Sequence, residues 1–375
     1  AEGRDEGPTV GVLSGYAGCH ALGQGILMFD GSVKGVQTIE AGELLMGPDG
    51  TPRTVLEPRR GEGEMRRIIP TKGEPFIVNA DHLLTLVHSA PNGGLEDVIV
   101  REWEAEQESK RRYFKLLRVG VNEFGARVDL PLDPYFLGVL LGDGVMQSSV
   151  GVSKSDPAII EMLHQQAETH GLRIRRDRPG KHPTWFLSSG GGRGENTIIN
   201  ALRALGLFGL DCGTKFIPDD YKRAARVERL QLLAGLLDTD GSLLNRNTYE
   251  YVSKSGRLAQ NLTFVARSLG FAAYMRGVIK KCQTGVAGYY YRVHVSGDTE
   301  QIPCRIPRKQ AAKREQCKSV LRTGFTVEHL PEGSYYGFTL DGDGRYLLDD
   351  FTVTHNTGKS TVVKWICEEL GDPLL

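Results

Sequence analysis

Six residues, His355-Asn356-Thr357-Gly358-Lys359-Ser360, decide how the rest of this chain is organised. Gly358-Lys359-Ser360 matches the second half of a phosphate-binding loop, G-x-x-x-x-G-K-[ST]. The residues before it, Val353-Thr354-His355-Asn356, lack the glycine that opens such a loop. The stretch is therefore half of a motif, and its other half must be sought elsewhere in the chain.

The missing half stands much earlier, at Gly15-Tyr16-Ala17-Gly18. Joining Gly18 to Thr357 produces G-Y-A-G-T-G-K-S, which is a complete phosphate-binding loop. Residues 19–356 are therefore predicted to be an insertion. It separates the residues that would cradle a nucleotide phosphate in the joined chain, namely Gly15, Gly18, Gly358, Lys359 and Ser360.

The two ends of the insertion carry the groups that a self-excising segment needs. The first inserted residue is a thiol, Cys19, the last two are His355 and Asn356, and a hydroxyl residue, Thr357, follows. This arrangement resembles an intein of the class that begins with Cys, inserted in the phosphate-binding loop of a host ATPase or helicase. The resemblance implies cofactor-free protein splicing, which excises residues 19–356 and ligates the flanking host segments.

The resemblance also assigns the first step. Inteins carry a T-x-x-H motif, which His82 matches, with Asn79 in place of Thr. The resemblance implies that the nucleophile Cys19 attacks the carbonyl of Gly18 while His82 protonates the leaving nitrogen. Asn79 is expected to donate an amide hydrogen bond to a carbonyl oxygen.

The later steps are assigned to the other end of the insertion. By resemblance, Thr357 takes over the acyl group, and Asn356, helped by His355, cyclises and cuts its own peptide bond. Many inteins carry Asp or Cys where Gly337 stands, and His where Gly344 stands. Both differences remove polar groups that would assist these late steps.

Short apolar runs separated by turn signals fill the sequence near both ends of the insertion. Asp30-Gly31 and Pro48-Asp49-Gly50 are typical of tight turns between strands. The pattern predicts an all-β domain built from residues 19–130 and 311–356. The resemblance implies the Hint (hedgehog/intein) horseshoe fold for this splicing domain.

The middle of the chain contains an internal repeat. Residues 136–144 and 233–241 each end in Asp-Gly, and each is followed by Ser-Lys-Ser, a helical pattern, a glycine and a strand. This order predicts an α/β domain with pseudo-two-fold symmetry over residues 131–310. Both segments resemble the LAGLIDADG motif, which implies a homing endonuclease that cuts double-stranded DNA in the insert-free host gene.

Small residues in the two repeats, Gly138 and Ala234-Gly235, would let their helices approach closely. Each helix would then deliver one carboxylate, Asp143 or Asp240, to a shared point. Paired carboxylates suit Mg²⁺ or Mn²⁺, which can activate water for phosphodiester hydrolysis. Lys215 matches the K-x-I-P segment of the family, and the resemblance implies a catalytic role near the cleavage centre, where it would polarise water or a phosphate.

Basic residues on predicted strands provide a candidate DNA surface, because phosphates supply most of the affinity in such complexes. The candidate DNA-contacting residues are Lys154, Arg173, Arg175, Lys254 and Arg276. The basic stretch 305–322 either extends this surface or forms a solvated helix.

Composition limits the remaining classes of protein. Lys plus Arg and Asp plus Glu are 46 each, so the formal net charge is zero and the chain is not basic throughout. No stretch is apolar for ~18 residues, which argues against a membrane helix. The six cysteines form no C-x-x-C pair, so a reduced, cytoplasmic monomer is expected. Residues 1–18 and 357–375 are predicted to be host segments.

Three alternatives remain open at this stage. The endonuclease half could be a DNA-binding relic, since the motif at 136–144 is degenerate. The chain could be a phosphate-loop nucleotide-binding protein with an insertion that does not splice. Hedgehog-like autoprocessing, in which an external nucleophile captures the thioester, is the third, and His355-Asn356-Thr357 argues against it.

Overall fold

The computed structural model describes residues 18–90, 93–125, 128–177, 183–190, 195–281, 287–316 and 318–356. The predicted host residues Gly15, Thr357, Gly358, Lys359 and Ser360 lie outside these ranges.

The N-terminal third is built mainly of strands. Its elements are β1 (His20–Ala21), β2 (Gly25–Leu27), β3 (Val33–Gly35), β4 (Leu44–Met46), β5 (Pro52–Pro70), β6 (Phe76–Asn79), β7 (Leu83–His88), β8 (Leu95–Ile99), α1 (Val100–Ala105), α2 (Glu108–Arg111) and β9 (Phe114–Leu117). The expected turns are present, and Gly31 and Gly50 have φ of 82° and 81°, which glycine adopts without strain.

The middle of the chain mixes helices and strands. Its elements are α3 (Pro134–Asp143), β10 (Gly144–Val145), β11 (Val150–Ser153), α4 (Pro157–Thr169), β12 (Arg173–Arg176), β13 (Thr184–Ser188), α5 (Thr197–Ala204), α6 (Asp219–Arg223), α7 (Arg226–Asp240), β14 (Gly241–Leu244), β15 (Thr248–Ser253), α8 (Gly256–Ser268), β16 (Ala272–Lys281) and β17 (Ala287–Ser296). The C-terminal part returns to strands, β18 (Arg322–Thr323), β19 (Phe325–Leu340), β20 (Arg345–Leu347) and β21 (Val353–His355).

The first and last parts of the chain interleave in one all-β body. The long strands β5 and β19 pair antiparallel, in a sheet of order β19-β1-β6-β5-β4. A second sheet has the order β18-β9-β7-β21-β20, with β8 paired to β7. Each sheet therefore contains strands from both ends of the insertion, and the two ends are held in the same body.

The middle part is duplicated. Its two four-stranded sheets have the orders β10-β11-β13-β12 and β14-β15-β17-β16, which are the same topology built twice. In each copy a helix, α3 or α7, leads directly into the first strand of the sheet. The structure thus confirms the predicted pseudo-two-fold α/β domain.

Glycines allow the helices α3 and α7 to pack with their backbones nearly in contact. A Cβ atom on Gly138 would lie 2.3 Å from the carbonyl oxygen of Leu232, and one on Gly235 would lie 2.2 Å from that of Tyr135. Both distances are far below van der Waals contact, so only glycine fits at these two positions. The prediction that small residues form this helix seam is confirmed.

A small apolar cluster joins the β body to the duplicated domain. Phe264 on α8 packs against Phe351, which precedes β21, with ring centroids 5.1 Å apart. The linker residues Val121 and Phe124 are buried in the same cluster. The segment between β9 and α3 is also bound by Arg229, a fully buried residue of α7. Its guanidinium donates to the carbonyl oxygens of Val121 and Asn122.

Candidate catalytic sites

The first candidate site surrounds Cys19, which is fully buried at the start of β1. Its backbone N–H donates to Oδ1 of Asn79 over 2.9 Å, and the N–H of Asn79 donates back to the Cys19 carbonyl oxygen over 3.1 Å. The Oδ1 of Asn79 is thus an acceptor at this junction, and the expected donation from its amide nitrogen to a carbonyl oxygen stays a prediction. Burial raises the pKa of the Cys19 thiol to about 12, although the charge of Arg59 opposes the shift.

His82 lies in the turn between β6 and β7, with its ring fully buried. Its Nε2 is 2.6 Å from Oγ1 of Thr354. Its Nδ1 borders the first junction, since a Cβ on Gly18 would lie 3.2 Å from that atom. Burial, followed by the neighbouring His20 and His355, holds the pKa of His82 well below its usual range. His82 is therefore neutral at neutral pH.

His20, which directly follows Cys19, was not singled out from the sequence. Its ring is fully buried and meets the His82 ring edge-on, with centroids 4.6 Å apart. Its Nε2 is 2.7 Å from the hydroxyl of Tyr346. Burial lowers the pKa of His20 to about 3, so this ring is also neutral.

The predicted second junction lies at the end of β21. Asn356 is 2% exposed and its N–H donates to the carbonyl oxygen of Gly344 over 2.9 Å. Among the described residues its side-chain nitrogen Nδ2 has no hydrogen-bond partner, and the same holds for Nδ1 of His355. Burial is the main cause that lowers the pKa of His355.

The sheet topology brings the two junctions together. His355 on β21 pairs with Leu83 on β7, and Leu83 is the residue that follows His82. A Cβ on Gly18 would lie 3.3 Å from the carbonyl oxygen of His355. Gly18, His82 and His355 are therefore neighbours, although the two junctions are separated by the whole length of the insertion.

The two glycines that depart from the intein pattern both adjoin these groups. A Cβ on Gly337 would lie 2.6 Å from Sγ of Cys19, and one on Gly344 would lie 3.0 Å from Cε1 of His355. Gly344 also has φ of 73°, which disfavours a side chain. In this chain the space of the missing polar side chains is taken by the junction residues themselves.

The second candidate site lies at the ends of the packed helices α3 and α7. Asp143 ends α3 and Asp240 ends α7. Asp240 keeps an exposed face, but the protein around it and then the charge of Asp143 raise its pKa to about 6. The influence of Asp143 on Asp240 indicates that the two carboxylates lie near each other, and their sharing of one metal site stays a prediction.

Three lysines neutralise the negative end of this helix pair. Lys154 forms an ion pair with Asp143, with Nζ and Oδ2 2.5 Å apart. Lys215 is 4% exposed and donates to the carbonyl oxygens of Leu140, Gly142 and Gly144 at the end of α3. Lys309, 9% exposed, donates to those of Leu237, Asp238 and Thr239 at the end of α7.

This placement revises three expectations. Lys154 was assigned to DNA contacts but lies beside the acidic pair. All three hydrogens of the Lys215 ammonium group have carbonyl acceptors, so Lys215 secures the helix end rather than presenting a free donor. Lys309 was grouped with the basic stretch 305–322, in whose described part only the 3₁₀ turn Pro307–Lys309 is helical. The solvated helix considered for this stretch is therefore wrong.

The carboxylate pair offers the oxygen ligands that Mg²⁺ prefers. Within the described ranges, no group of three or more His, Cys, Asp or Glu could hold a metal ion. A cation here would therefore take further ligands from water or phosphate, and it would compete with Lys154 for Asp143.

The remaining candidate DNA contacts are exposed. On β12, Ile174 packs on the core, so Arg173 and Arg175 point to the opposite face of the sheet. On β16, Met275 packs on the core and Arg276 likewise points away. Lys254 lies at the end of β15 beside Gly213. These four side chains are therefore available to a ligand, three of them on strand faces that point away from the core.

Comparison with known proteins follows this division. Residues 19–129 match the family described as Hom_end-associated Hint. The chain combines an all-β body, whose first part matches this Hint family, with an inserted pseudo-two-fold α/β domain.

Curated relatives match parts of the chain. The replicative DNA helicase DnaB of Mycobacterium intracellulare is 31% identical over 162 residues, covering 42% of this chain and 22% of its own length. The homothallic switching endonuclease of Saccharomyces cerevisiae is 24% identical over 251 residues, covering 57% of this chain and 42% of its own length. The chain spans less than half the length of either relative.

Solved structures match the two parts separately. The gp41-1 intein is 19% identical, with a TM-score of 0.18, over 22% of this chain and 59% of its own. The structure of I-DmoI in complex with DNA and Ca is 12% identical, with a TM-score of 0.31, over 44% of this chain and 83% of its own.

Over the residues that the structure describes, none of the helices combines the length and the apolar character needed to span a membrane.

Proposed function

We propose that this chain excises residues 19–356 by protein splicing and joins Gly18 to Thr357. The observation that carries the proposal is the meeting of the two junctions, where Gly18 adjoins both Nδ1 of His82 and the carbonyl oxygen of His355. Such convergence is what a reaction between two ends of one chain requires, because positioning replaces a bimolecular encounter.

The first step uses a neutral thiol and a neutral imidazole. Sγ of Cys19 attacks the Gly18 carbonyl carbon, and His82 Nδ1 accepts the thiol proton and passes it to the backbone nitrogen of Cys19. The C–N bond breaks as the C–S bond forms, leaving a thioester and an amine. Asn79 Oδ1, which accepts from this nitrogen over 2.9 Å, fixes its orientation.

The later steps complete the exchange of bonds. The Thr357 hydroxyl attacks the thioester, and the Cys19 thiol leaves with the proton. Nδ2 of Asn356 then attacks its own backbone carbonyl carbon, which forms a succinimide and frees the amine of Thr357. That amine takes the acyl group from the Thr357 oxygen. The absence of a described hydrogen-bond partner for Nδ2 supports its role as the nucleophile.

Intact mass measured over time, with reductant at neutral pH, tests the proposal. We expect an excised 19–356 species together with a ligated product of the two flanks. A Cys19→Ala, Asn356→Ala double variant is the control and should keep its full-length mass. A wild-type chain that stays full-length for days would contradict the proposal.

We further propose that the duplicated domain cuts double-stranded DNA at the insert-free host site. Two topologically identical halves that each deliver a carboxylate to one site, with arginines on exposed strand faces, favour this activity. Asp143 and Asp240 would hold Mg²⁺ or Mn²⁺, which would supply activation of water. Lys154 and Lys309 would offset the negative charge of the site as the substrate phosphate enters.

A plasmid-cleavage assay tests this second function. The protein is incubated in the presence of Mg²⁺ with a plasmid that carries the fused, insert-free host site. We expect linear product from the wild-type protein and none from Asp240→Asn. Binding of the plasmid without nicking would instead favour a DNA-binding relic. Because Cys19 and Asn356 belong to the β body and both carboxylates end helices of the duplicated domain, the splicing-dead double variant should still cut.

A further inference from the structure

We propose that Thr354, His20 and Tyr346 act as positioning residues that keep the ring of His82 aimed at the Gly18–Cys19 bond. None of the three was implicated by motif spacing. The inference rests on the proposed splicing function and deepens it, because it names the groups that prepare its first step.

The strand pairing places these side chains around His82. Tyr346 on β20 and Thr354 on β21 are cross-strand partners, so their side chains lie on the same face of the sheet. Oγ1 of Thr354 meets Nε2 of His82 at 2.6 Å, and the Tyr346 hydroxyl meets Nε2 of His20 at 2.7 Å. The edge contact between the His20 and His82 rings completes the arrangement.

This arrangement constrains both rotation and tautomer of His82. A hydroxyl at Nε2 can accept the Nε2–H hydrogen in the neutral ring and also in the imidazolium that forms during proton transfer. Nδ1 is then left to take the thiol proton and deliver it to the leaving nitrogen. A hydrogen bond to a charged group is stronger than one to a neutral group, so this contact favours the charged intermediate over the starting state.

Burial makes the contacts necessary. Thr354 is 1% exposed and the rings of His20, His82 and Tyr346 are fully buried, so water does not replace a lost partner readily. The Thr354 hydroxyl is the group of this set that touches the proposed proton carrier directly. His20 contacts the His82 ring edge-on, and Tyr346 acts through its hydrogen bond to His20.

The test isolates the first step. In an Asn356→Ala background, which blocks the second cleavage, dithiothreitol releases the N-terminal flank at the rate of thioester formation. Thr354→Val should slow this release about tenfold or more, since it removes one hydrogen bond to a charged group. Thr354→Ser, which restores the hydroxyl, should return the rate to within about threefold of the parent.

Two comparisons separate positioning from folding. In a Cys19→Ala background, adding Thr354→Val should leave the rate of peptide cleavage after Asn356 within about threefold of the rate without it. Thr339→Val, at a buried threonine that is not a hydrogen-bond partner of His82, should leave N-terminal release unchanged. Tyr346→Phe, which removes only one hydroxyl, should slow N-terminal release, and it serves as the second test if Thr354→Val does not fold.

The outcomes distinguish the two proposals. Full activity of both Thr354→Val and Tyr346→Phe would overturn the positioning role while leaving splicing intact. Equal slowing of both cleavages by Thr354→Val, without rescue by Ser, would also overturn it and assign Thr354 to folding. No release from the Asn356→Ala parent itself would overturn the splicing proposal and this inference together.

Discussion

At the scale of single residues, the first junction is organised by burial. Cys19 and His82 are both held in their neutral forms, because the surrounding protein removes the water that would stabilise a thiolate or an imidazolium. A buried neutral pair cannot react until it is aligned. Reactivity at this junction therefore depends on geometry, which Asn79 and Thr354 provide on either side.

The buried histidines predict how stability depends on pH. His20 has a pKa of about 3 in the fold, against an ordinary value near 6.5, so between these values the unfolded chain binds the extra proton. The free energy of unfolding should therefore fall as the pH drops below about 6.5, by up to roughly 1.4 kcal/mol per pH unit for each such histidine. Denaturant unfolding of the Cys19→Ala, Asn356→Ala variant at pH 7 and pH 5 measures this loss.

Replacing His20 by Phe in that background should make the acid loss smaller. His164→Gln, changed at an exposed histidine of α4, is the control and should keep the parent slope. If His20→Phe loses as much stability between pH 7 and pH 5 as its parent, the lowered pKa of His20 is not a cause of the acid sensitivity.

Gly337 yields a second prediction at this scale. Because a Cβ would lie 2.6 Å from Sγ of Cys19 and 3.1 Å from the Gly18 carbonyl oxygen, Gly337→Ala must displace the nucleophile. We expect dithiothreitol-induced release of the N-terminal flank to slow about tenfold or more, since small misplacements at a reacting centre are costly. Gly333→Ala, on the same strand and 3.3 Å from a flexible methionine side chain, is the matched control. Equal rates in the two variants would exclude the steric explanation.

At the scale of elements, the seam between α3 and α7 determines where the two carboxylates meet. The backbones of these helices approach so closely that the identity of two residues, Gly138 and Gly235, controls the interface. Lys215 and Lys309 then occupy equivalent places at the two helix ends, where their ammonium groups donate to backbone carbonyl oxygens at the negative pole of each helix. The acidic site is thus a product of helix packing and helix capping together.

Gly235→Ala tests this packing. An alanine in a helix is intrinsically favoured by up to about 1 kcal/mol, but its Cβ would meet the Tyr135 carbonyl oxygen at 2.2 Å. Overpacking of this kind costs about 1–3 kcal/mol, so we expect net destabilisation and loss of plasmid cleavage. Thermal unfolding measures the first and the cleavage assay the second.

Gly94→Ala is the control for this substitution, since nothing lies within 4 Å of its Cβ position. It should leave both the midpoint of unfolding and the cleavage rate unchanged. A Gly235→Ala protein as stable as this control would show that the helices can separate without cost.

At the scale of the whole molecule, the β body closes only because its first and last segments pair across the entire duplicated domain. β19 completes the sheet that begins with β1, and β21 completes the sheet that contains β7. The contact between Phe264 and Phe351 attaches the duplicated domain close to β21, which carries the second junction. Excision of residues 19–356 would release both parts as one piece.

The joined flanks predict a gain of nucleotide binding. In the unspliced chain Gly18 is followed by Cys19 and Thr357 is preceded by Asn356, so the insertion interrupts the continuous loop G-Y-A-G-T-G-K-S that the phosphate-binding motif requires. We expect ATP binding, measured by equilibrium dialysis, to be absent from the Cys19→Ala, Asn356→Ala variant and present in the spliced host protein expressed with its full flanks. ATP binding by the unspliced variant would contradict this expectation.

Local patterns were sufficient for much of this molecule. The turns at Gly31 and Gly50, the two Asp-Gly endings at 143–144 and 240–241, and the glycines of the helix seam depend on φ angles, periodicity and side-chain size, which neighbouring residues reveal. These features fixed the class of each domain. The assignment of Cys19, His82 and Asn356 came from motif resemblance, and their roles remain predictions.

The surroundings of those residues depended on contacts between distant segments. His20, Tyr346 and Thr354 meet only because β1, β20 and β21 are assembled in one body, and no spacing along the chain reveals a cross-strand pair. The same reason explains why Lys154 was predicted to contact DNA, and why Lys309 was left in a basic stretch with two open interpretations, although both lie beside the acidic residues. The sequence by itself determined the classes of the two folds, since periodicity and turn chemistry are local, whereas the positions of the junctions remain predictions. Only the tertiary structure decided which side chains surround each reacting group, because burial and pairing are properties of the folded chain.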